Sequence, residues 1–149
     1  MRAIIQRVNQ AKVTINKQIV GSISKGLLLY LGINNTDSME DIKQLGNKIL
    51  NLRIFSDSHN KMNVSLNDIK GELLIISQFT LYANCTKGNR PSFINAGDPV
   101  YAQKIYNEFV NYMKLQTNIT IQTGQFGATM NVTSKNCGPV TIILDTSDE

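Results

Sequence analysis

Gly26-Leu27-Leu28-Leu29-Tyr30-Leu31-Gly32-Ile33 carries apolar side chains at consecutive positions rather than alternate ones. Side chains of a strand point to opposite faces in turn, so a run that is apolar throughout reads as a central strand covered on both sides. It is of strand length and too short to span a bilayer. A second such run, Gly71-Glu72-Leu73-Leu74-Ile75-Ile76-Ser77-Gln78-Phe79-Thr80, ends on polar residues. Together the two runs demand a sheet with cover on its faces.

The cover is written between and after them. Ser38 is a suitable N-cap, with Asp41 three residues on in the capping-box position. Ile42, Leu45, Ile49 and Leu52 follow at helical spacing. A second helix starts at Asp98 (N-cap) and Pro99 (first helical position), with Tyr101, Ile105, Phe109, Tyr112 and Met113 as its apolar stripe. That stripe reads as core.

Further out, Val13 and Ile15 alternate with Thr14 and Asn16, as in a strand with one buried face. Asn16-Lys17-Gln18 reads as a turn, and Ile19 to Ile23 as the returning arm of a hairpin. Ile119 to Gln122 and Val140 to Leu144 complete the strands. Ser56 to Lys61 is a polar loop, and Asn84 to Gly97 a long loop rich in Gly, Asn, Pro and basic residues. The order β-β-β-α-β-α-β-β predicts an α+β domain over 1–149, with two main helices and a strongly curved, barrel-like sheet. Disorder is expected only at Ser147 to Glu149.

Composition narrows the function classes. A chain of 149 residues fits one domain and a real hydrophobic core. The start, Met1 to Val8, has no signal-peptide pattern, and no window is apolar for long enough to cross a membrane. Two cysteines, Cys85 and Cys137, make neither a disulfide framework nor a metal spacing, so a cytoplasmic location is expected. Fifteen basic against eleven acidic residues give +4, which is compatible with a polyanionic partner such as RNA.

Common enzyme chemistries find no footing. His59 is the only histidine and sits among polar loop residues. Phosphate-binding, dinucleotide-binding and nucleophile-elbow glycine patterns are missing, as is any zinc cluster. Two unusual segments remain. Ser77-Gln78-Phe79-Thr80 closes a buried strand with polar side chains; alternation would put Ser77 and Phe79 on one face and Gln78 and Thr80 on the other. Such residues also serve simply to satisfy a loop. Asn136-Cys137-Gly138-Pro139-Val140-Thr141 holds a Gly-Pro step just before a β-run. A Gly-Pro bond can be cis, with two successive carbonyl oxygens pointing nearly the same way as an ammonium receptor. It can equally be a plain turn.

The two segments resemble the S-Q-F-T and N-x-G-P-V-T motifs of the bacterial-type D-aminoacyl-tRNA deacylases. Ile5 to Val8, Gly26 to Leu28, Lys87 to Phe93 and Phe126 to Met130 also look like that family's segments, in its order and spacing. The resemblance implies hydrolysis of the ester of D-aminoacyl-tRNA to free D-amino acid and tRNA. It also implies a homodimer with its active sites at the interface, and glycyl-tRNA as a further substrate. Gly138 and Pro139 would bind the substrate amino group and exclude L side chains. Ser77 and Gln78 would bind the terminal adenosine and its ester, Phe79 and Thr80 would be the catalytic positions, Phe126 and Met130 further walls, and Arg7 the residue that orients the Gly138-Pro139 loop. No metal and no organic cofactor is implied. Thr80 as a nucleophile lacks a visible base. The alternative is activation of water by the adenosine 2′-hydroxyl, with backbone N–H groups near Phe79 and Thr80 holding the oxyanion. The rivals are a non-catalytic barrel-fold RNA-binding module and a cysteine hydrolase built on Cys137 and His59.

Overall fold

The computed structural model describes residues 1–147, so Asp148 and Glu149 of the tail for which disorder is expected lie outside the described residues. Ser147 is tied down: its N–H and hydroxyl donate to Asp145 Oδ1 at 3.1 and 2.8 Å.

The fold is α+β. Strands β1 (Arg2–Ile15), β2 (Gln18–Ile23) and β3 (Gly26–Gly32) precede helix α1 (Met39–Asn51). A short pair, β4 (Phe55–Ser56) and β5 (Met62–Val64), leads to β6 (Glu72–Ser77), a 3₁₀ turn (Phe79–Tyr82), helix α2 (Pro99–Gln116), β7 (Ile121–Thr123) and β8 (Asn131–Asp145). The main sheet runs β2-β1-β3-β6-β7, with β8 also on β1. β3, β6 and β7 are parallel, joined by crossovers that carry the helices, and the other pairs are antiparallel.

The first and last strands, β1 and β8, are longer than alternation suggests. β8 follows one edge of β1 along almost its whole length, while β3 and then β2 share the other. The β1–β8 register slips between Gln6 and Val8 and between Val8 and Gln10. Bulges of this kind bend a strand and re-aim its side chains. Ala3 and Ile5 thus belong to the core under the helices, whereas Val8, Ala11 and Val13 belong to a second cluster with Leu28, Leu74 and Ile76. The ends of the sheet approach each other. A Cβ on Gly21 of β2 would stand 2.7 Å from the Thr123 carbonyl of β7, so only glycine fits where the sheet curls toward a barrel.

The helices form as their caps require. Asp41 Oδ2 accepts from Ser38 N–H at 2.8 Å, and Ser38 Oγ accepts from Glu40 N–H at 3.2 Å. Asp98 Oδ1 accepts from Val100 and Tyr101 N–H at 3.0 and 3.2 Å. α1 buries Ile42, Leu45 and Ile49, and α2 buries Ile105, Phe109 and Met113. Each such side chain contributes roughly 1.5–3 kcal/mol when removed from water. At Gly46 of α1 an added Cβ would meet Tyr112 and Met113 of α2 at 2.9–3.1 Å, so the two helices pack closely there.

Candidate functional site

β3 and β6 run parallel and end side by side, with Leu31 opposite Ser77. The crevice beyond the carboxyl ends of parallel strands is a common place for ligands. Here Gln78 N–H still donates to Leu31 O at 2.8 Å, and then the chain leaves the sheet through the 3₁₀ turn, where Leu81 N–H donates to Gln78 O at 3.2 Å. The alternation expected across Ser77 to Thr80 therefore stops at Ser77. Phe79 and Thr80 take their directions from the turn.

A cleft of about 260 Å³ opens at this point. Ser77, Gln78 and Phe79 form one wall, and Phe126, Gly127, Ala128 and Met130 the other. Leu31, Ile33 and Ile76 lie along it, and Ala102 reaches it from the first turn of α2. No lining side chain is ionisable. Thr80 is outside the lining and exposed; its Oγ1 accepts from Gln78 Nε2 at 2.5 Å. Phe79 is 57 % exposed and meets Phe93 edge-to-face at 5.0 Å between ring centres. Phe126 packs on Tyr106, 5.7 Å away, and Tyr106 donates its hydroxyl proton to Ile75 O at 3.0 Å. Burial pushes the Tyr106 phenol up, so it stays a proton donor.

Gly138 and Pro139 are elsewhere in the chain's own fold. They lie in β8, exposed, joined by a cis peptide bond, and absent from the cleft lining. Arg7 holds this segment from β1: its Nε donates to Cys137 O at 2.9 Å and its Nη1 to Ile54 O at 2.6 Å. Val140 N–H donates to Asn136 Oδ1 at 2.9 Å, which braces the segment from within. Arg7 is level with Leu27 of β3 and hence Leu73 of β6, while the cleft is level with Leu31 and Ser77. Four residues of strand separate the two levels by ~13 Å.

The other candidates are dispersed. His59 is exposed beside Asp57 and Ser58, and Cys137 lines a small hollow with Arg7, Phe55 and Ser56. Lys87 and Arg90 are exposed in the loop after the turn, where Asn84 and Ser92 exchange backbone hydrogen bonds at 2.8 and 2.9 Å. Among the described residues no cluster of His, Cys, Asp and Glu could hold a metal ion, and no helix is long and apolar enough to cross a membrane.

This arrangement of strand end, turn and loop can be set beside known proteins. Residues 4–145 match the family described as D-Tyr-tRNA(Tyr) deacylase. The chain belongs to that family. A D-aminoacyl-tRNA deacylase of Thermosipho africanus (strain TCF52B) is 55 % identical over 145 residues, 97 % of each chain. A D-aminoacyl-tRNA deacylase of Fusobacterium nucleatum subsp. nucleatum is 55 % identical over 148 residues, 99 % of this chain and 97 % of its own. A solved structure titled c-Myc DNA Unwinding Element Binding Protein superposes with a TM-score of 0.93 at 38 % identity, covering 98 % of this chain and 99 % of its own.

In this member of the D-Tyr-tRNA deacylase family, the fold brings together Ser77, Gln78, Phe79, Phe126 and Met130, and leaves Gly138, Pro139 and Arg7 apart from them. Sequence reasoning missed Phe93 as a contact of Phe79, and Leu31, Ile33 and Ala102 as parts of the cleft. Phe93 closes the segment Lys87 to Phe93 and is its only aromatic residue, which was the available signal. The three apolar residues carry no mark that distinguishes them from core.

Proposed function

We propose that this chain hydrolyses the ester bond of D-aminoacyl-tRNA, releasing free D-amino acid and tRNA, and that it turns L-aminoacyl-tRNA away. The observation that carries this reading is the cleft itself. In a chain whose relatives bear the deacylase name, it holds aromatic and amide side chains but nothing able to act as a base. The base is then supplied by the substrate. The 2′-hydroxyl of the terminal ribose orients a water and takes part in relaying its proton. The water oxygen attacks the ester carbonyl, the carbon–oxygen bond to the ribose breaks, and the proton ends on the ribose oxygen. The first N–H groups of a helical turn have no partner within it. Here they belong to Phe79 and Thr80, and they would hold the oxyanion. Ser77 and Gln78 would hold the adenosine and its ester, with Phe126 and Met130 as walls.

Chirality is assigned to Gly138 and Pro139. Their backbone carbonyls would accept the substrate ammonium and leave no space for an L side chain, with Arg7 fixing the segment through Cys137 O. Their distance from the cleft of their own chain favours delivery by a second copy, hence a homodimer. Glycine has no side chain to exclude, so glycyl-tRNA would also be hydrolysed. The substrate places the enzyme in the cytoplasm. A second reading, a barrel-fold RNA-binding module without catalysis, draws on exposed Lys87 and Arg90.

Incubation with D- and L-tyrosyl-tRNA separates the two. Release of tyrosine from the D form alone is expected; binding without release of either would leave the RNA-binding module. The pH profile sharpens the mechanism. With no ionisable group in the cleft, log kcat should climb with pH without a bell, whereas two flanks would reveal an enzyme acid and base.

A further inference from the structure

Behind the Phe79–Tyr82 turn lies a second, larger cleft of about 610 Å³. Three chain segments pass directly from one cleft to the other. Ile33 lines the first and Asn34 the second; Phe79 lines the first and Tyr82 the second; Phe93 touches Phe79, and Ile94 lines the second. The turn is thus a ridge with a cavity on either flank. Four residues of 3₁₀ helix span only ~8 Å.

We infer that this second cleft receives the nucleotide immediately 5′ to the aminoacylated one and holds its phosphate; the inference rests on the deacylase reading. The lining amides are already committed at one end. Asn34 Oδ1 accepts from Thr36 N–H at 2.7 Å, Asn35 Oδ1 from Asp98 N–H at 2.7 Å, and Asn84 Oδ1 from Thr86 N–H at 3.0 Å. A backbone N–H can only donate, so each bond fixes which end of the amide is turned inward to the protein. The oxygens are used to hold loops, and the Nδ2 groups are the ends left over. Asn34 Nδ2 lies 3.5 Å from Tyr82 Oη, while those of Asn35 and Asn84 hold no bond among the described residues. Arg2 adds a cation. Its Nε donates to Asp145 Oδ2 at 2.7 Å and its Nη1 to Leu81 O at 2.8 Å, and its guanidinium lies 4.8 Å from the Tyr82 ring centre. Pinned in this way, a planar guanidinium offers its remaining N–H groups to an anion and its face to a base.

The carboxylates nearby each already have a partner; Asp37 is held by the Met1 ammonium and by Asn34 N–H. Asp145 is engaged by Arg2 and Ser147, and Asp98 caps α2. Three of the lining amides, Asn34, Asn35 and Asn84, thus have their oxygens engaged and their donors left for phosphate oxygens and base carbonyls. The volume of the cleft suits one nucleotide rather than a helix. A substrate whose terminal adenosine fills the first cleft must continue over or around the ridge, and this is the polar hollow beside it.

Asn35→Asp and Asn84→Asp test this without dismantling the loops. Aspartate keeps the oxygen that accepts the backbone N–H and replaces the outward donor by a negative oxygen. With D-tyrosyl-tRNA the double variant should raise KM about tenfold at similar kcat, the scale of losing a hydrogen bond to a charged group. With D-tyrosyl-adenosine, which ends at the terminal nucleoside, kcat/KM should stay within about twofold, because that substrate never reaches the second cleft. Asn95→Asp, in the same lining but outside those turns, should shift KM in the same direction. An unchanged KM for the tRNA overturns the inference. Equal losses on both substrates also overturn it, since the effect would then pass through the turn. A wild-type enzyme inactive on both substrates would overturn the deacylase reading, and the inference with it.

Discussion

Ser77–Thr80 and Asn136–Thr141 look alike in the sequence, each a polar interruption beside an apolar strand. The folded chain treats them differently. Ser77 to Phe79 become one wall of a cleft whose other wall is supplied by Phe126 to Met130. Gly138 and Pro139 stay on the surface of β8, gripped from behind by Arg7. The first segment takes its character from its neighbours in space. The second takes it from its own backbone, with Gly138 at φ +133, where L side chains rarely go. Register decides which residues become neighbours, and no local pattern carries it.

The largest effect should come from Gly138→Ala. An added Cβ would stand 2.8 Å from Val140 Cγ2 and 2.9 Å from Arg7 Nη2, at a disfavoured φ. Displacing this segment by even ~1 Å should lower kcat/KM for D-tyrosyl-tRNA by about 100-fold. The melting temperature should fall by a few degrees, from strain of about 1–3 kcal/mol. A folded variant with normal turnover would detach the segment from the reaction.

Arg7→Ala ranks next. It strips a charged donor from Cys137 O and Ile54 O, costing about 1.5–3 kcal/mol in stability and about tenfold in turnover. Arg7→Lys should recover only part of either, because Arg7 reaches the two carbonyls from two different nitrogens of a rigid fork and an ammonium has a single nitrogen. Full recovery, measured by melting and by D-tyrosyl-tRNA turnover, would reduce Arg7 to a point charge. Lys87→Ala with Arg90→Ala should raise KM several-fold and flatten the log–log salt dependence by about one to two units, as fewer counterions are released. An unchanged slope would move the RNA surface away from the loop that touches Phe79.

The smallest effects belong to the conventional nucleophiles and base. Thr80→Ala, His59→Ala and Cys137→Ala should each stay within about twofold of wild type, since none lines the cleft beside a partner. Collapse of a folded Cys137 or His59 variant would revive a cysteine hydrolase. Collapse of Thr80→Ala would make that hydroxyl the nucleophile.

Much of the fold was legible where the signal is local. Ser38 with Asp41, and Asp98 with Pro99, announce α1 and α2 because capping is settled within four residues. β3 and β6 are legible because burial on both faces leaves an unbroken apolar run. The full lengths of β1 and β8 were not, since bulges break the alternation and residues 133–135 of β8 are exposed and polar. The pair β4–β5, which flanks the polar loop, was not legible because its strands are only two and three residues long. In the site, Ser77 and Gln78 stand out in the sequence as polar residues ending a buried run, and they do line the cleft, but the bend after Ser77 was not legible. It runs through Phe79-Thr80-Leu81-Tyr82, which holds none of the usual turn residues and is closed by Leu81 N–H on Gln78 O.

The edge-to-face pair of Phe79 and Phe93 has an optical consequence. The chain contains no tryptophan, so its near-ultraviolet emission comes from tyrosines alone. Phe93, 38 % exposed at the rim, is an aromatic position where an indole replaces a phenyl with its packing surface kept. Phe93→Trp would place the only indole, excitable at wavelengths where tyrosine hardly absorbs, beside the ring that a bound adenosine would meet. The arrival and departure of RNA could then be timed by emission wavelength, with no label attached to either molecule.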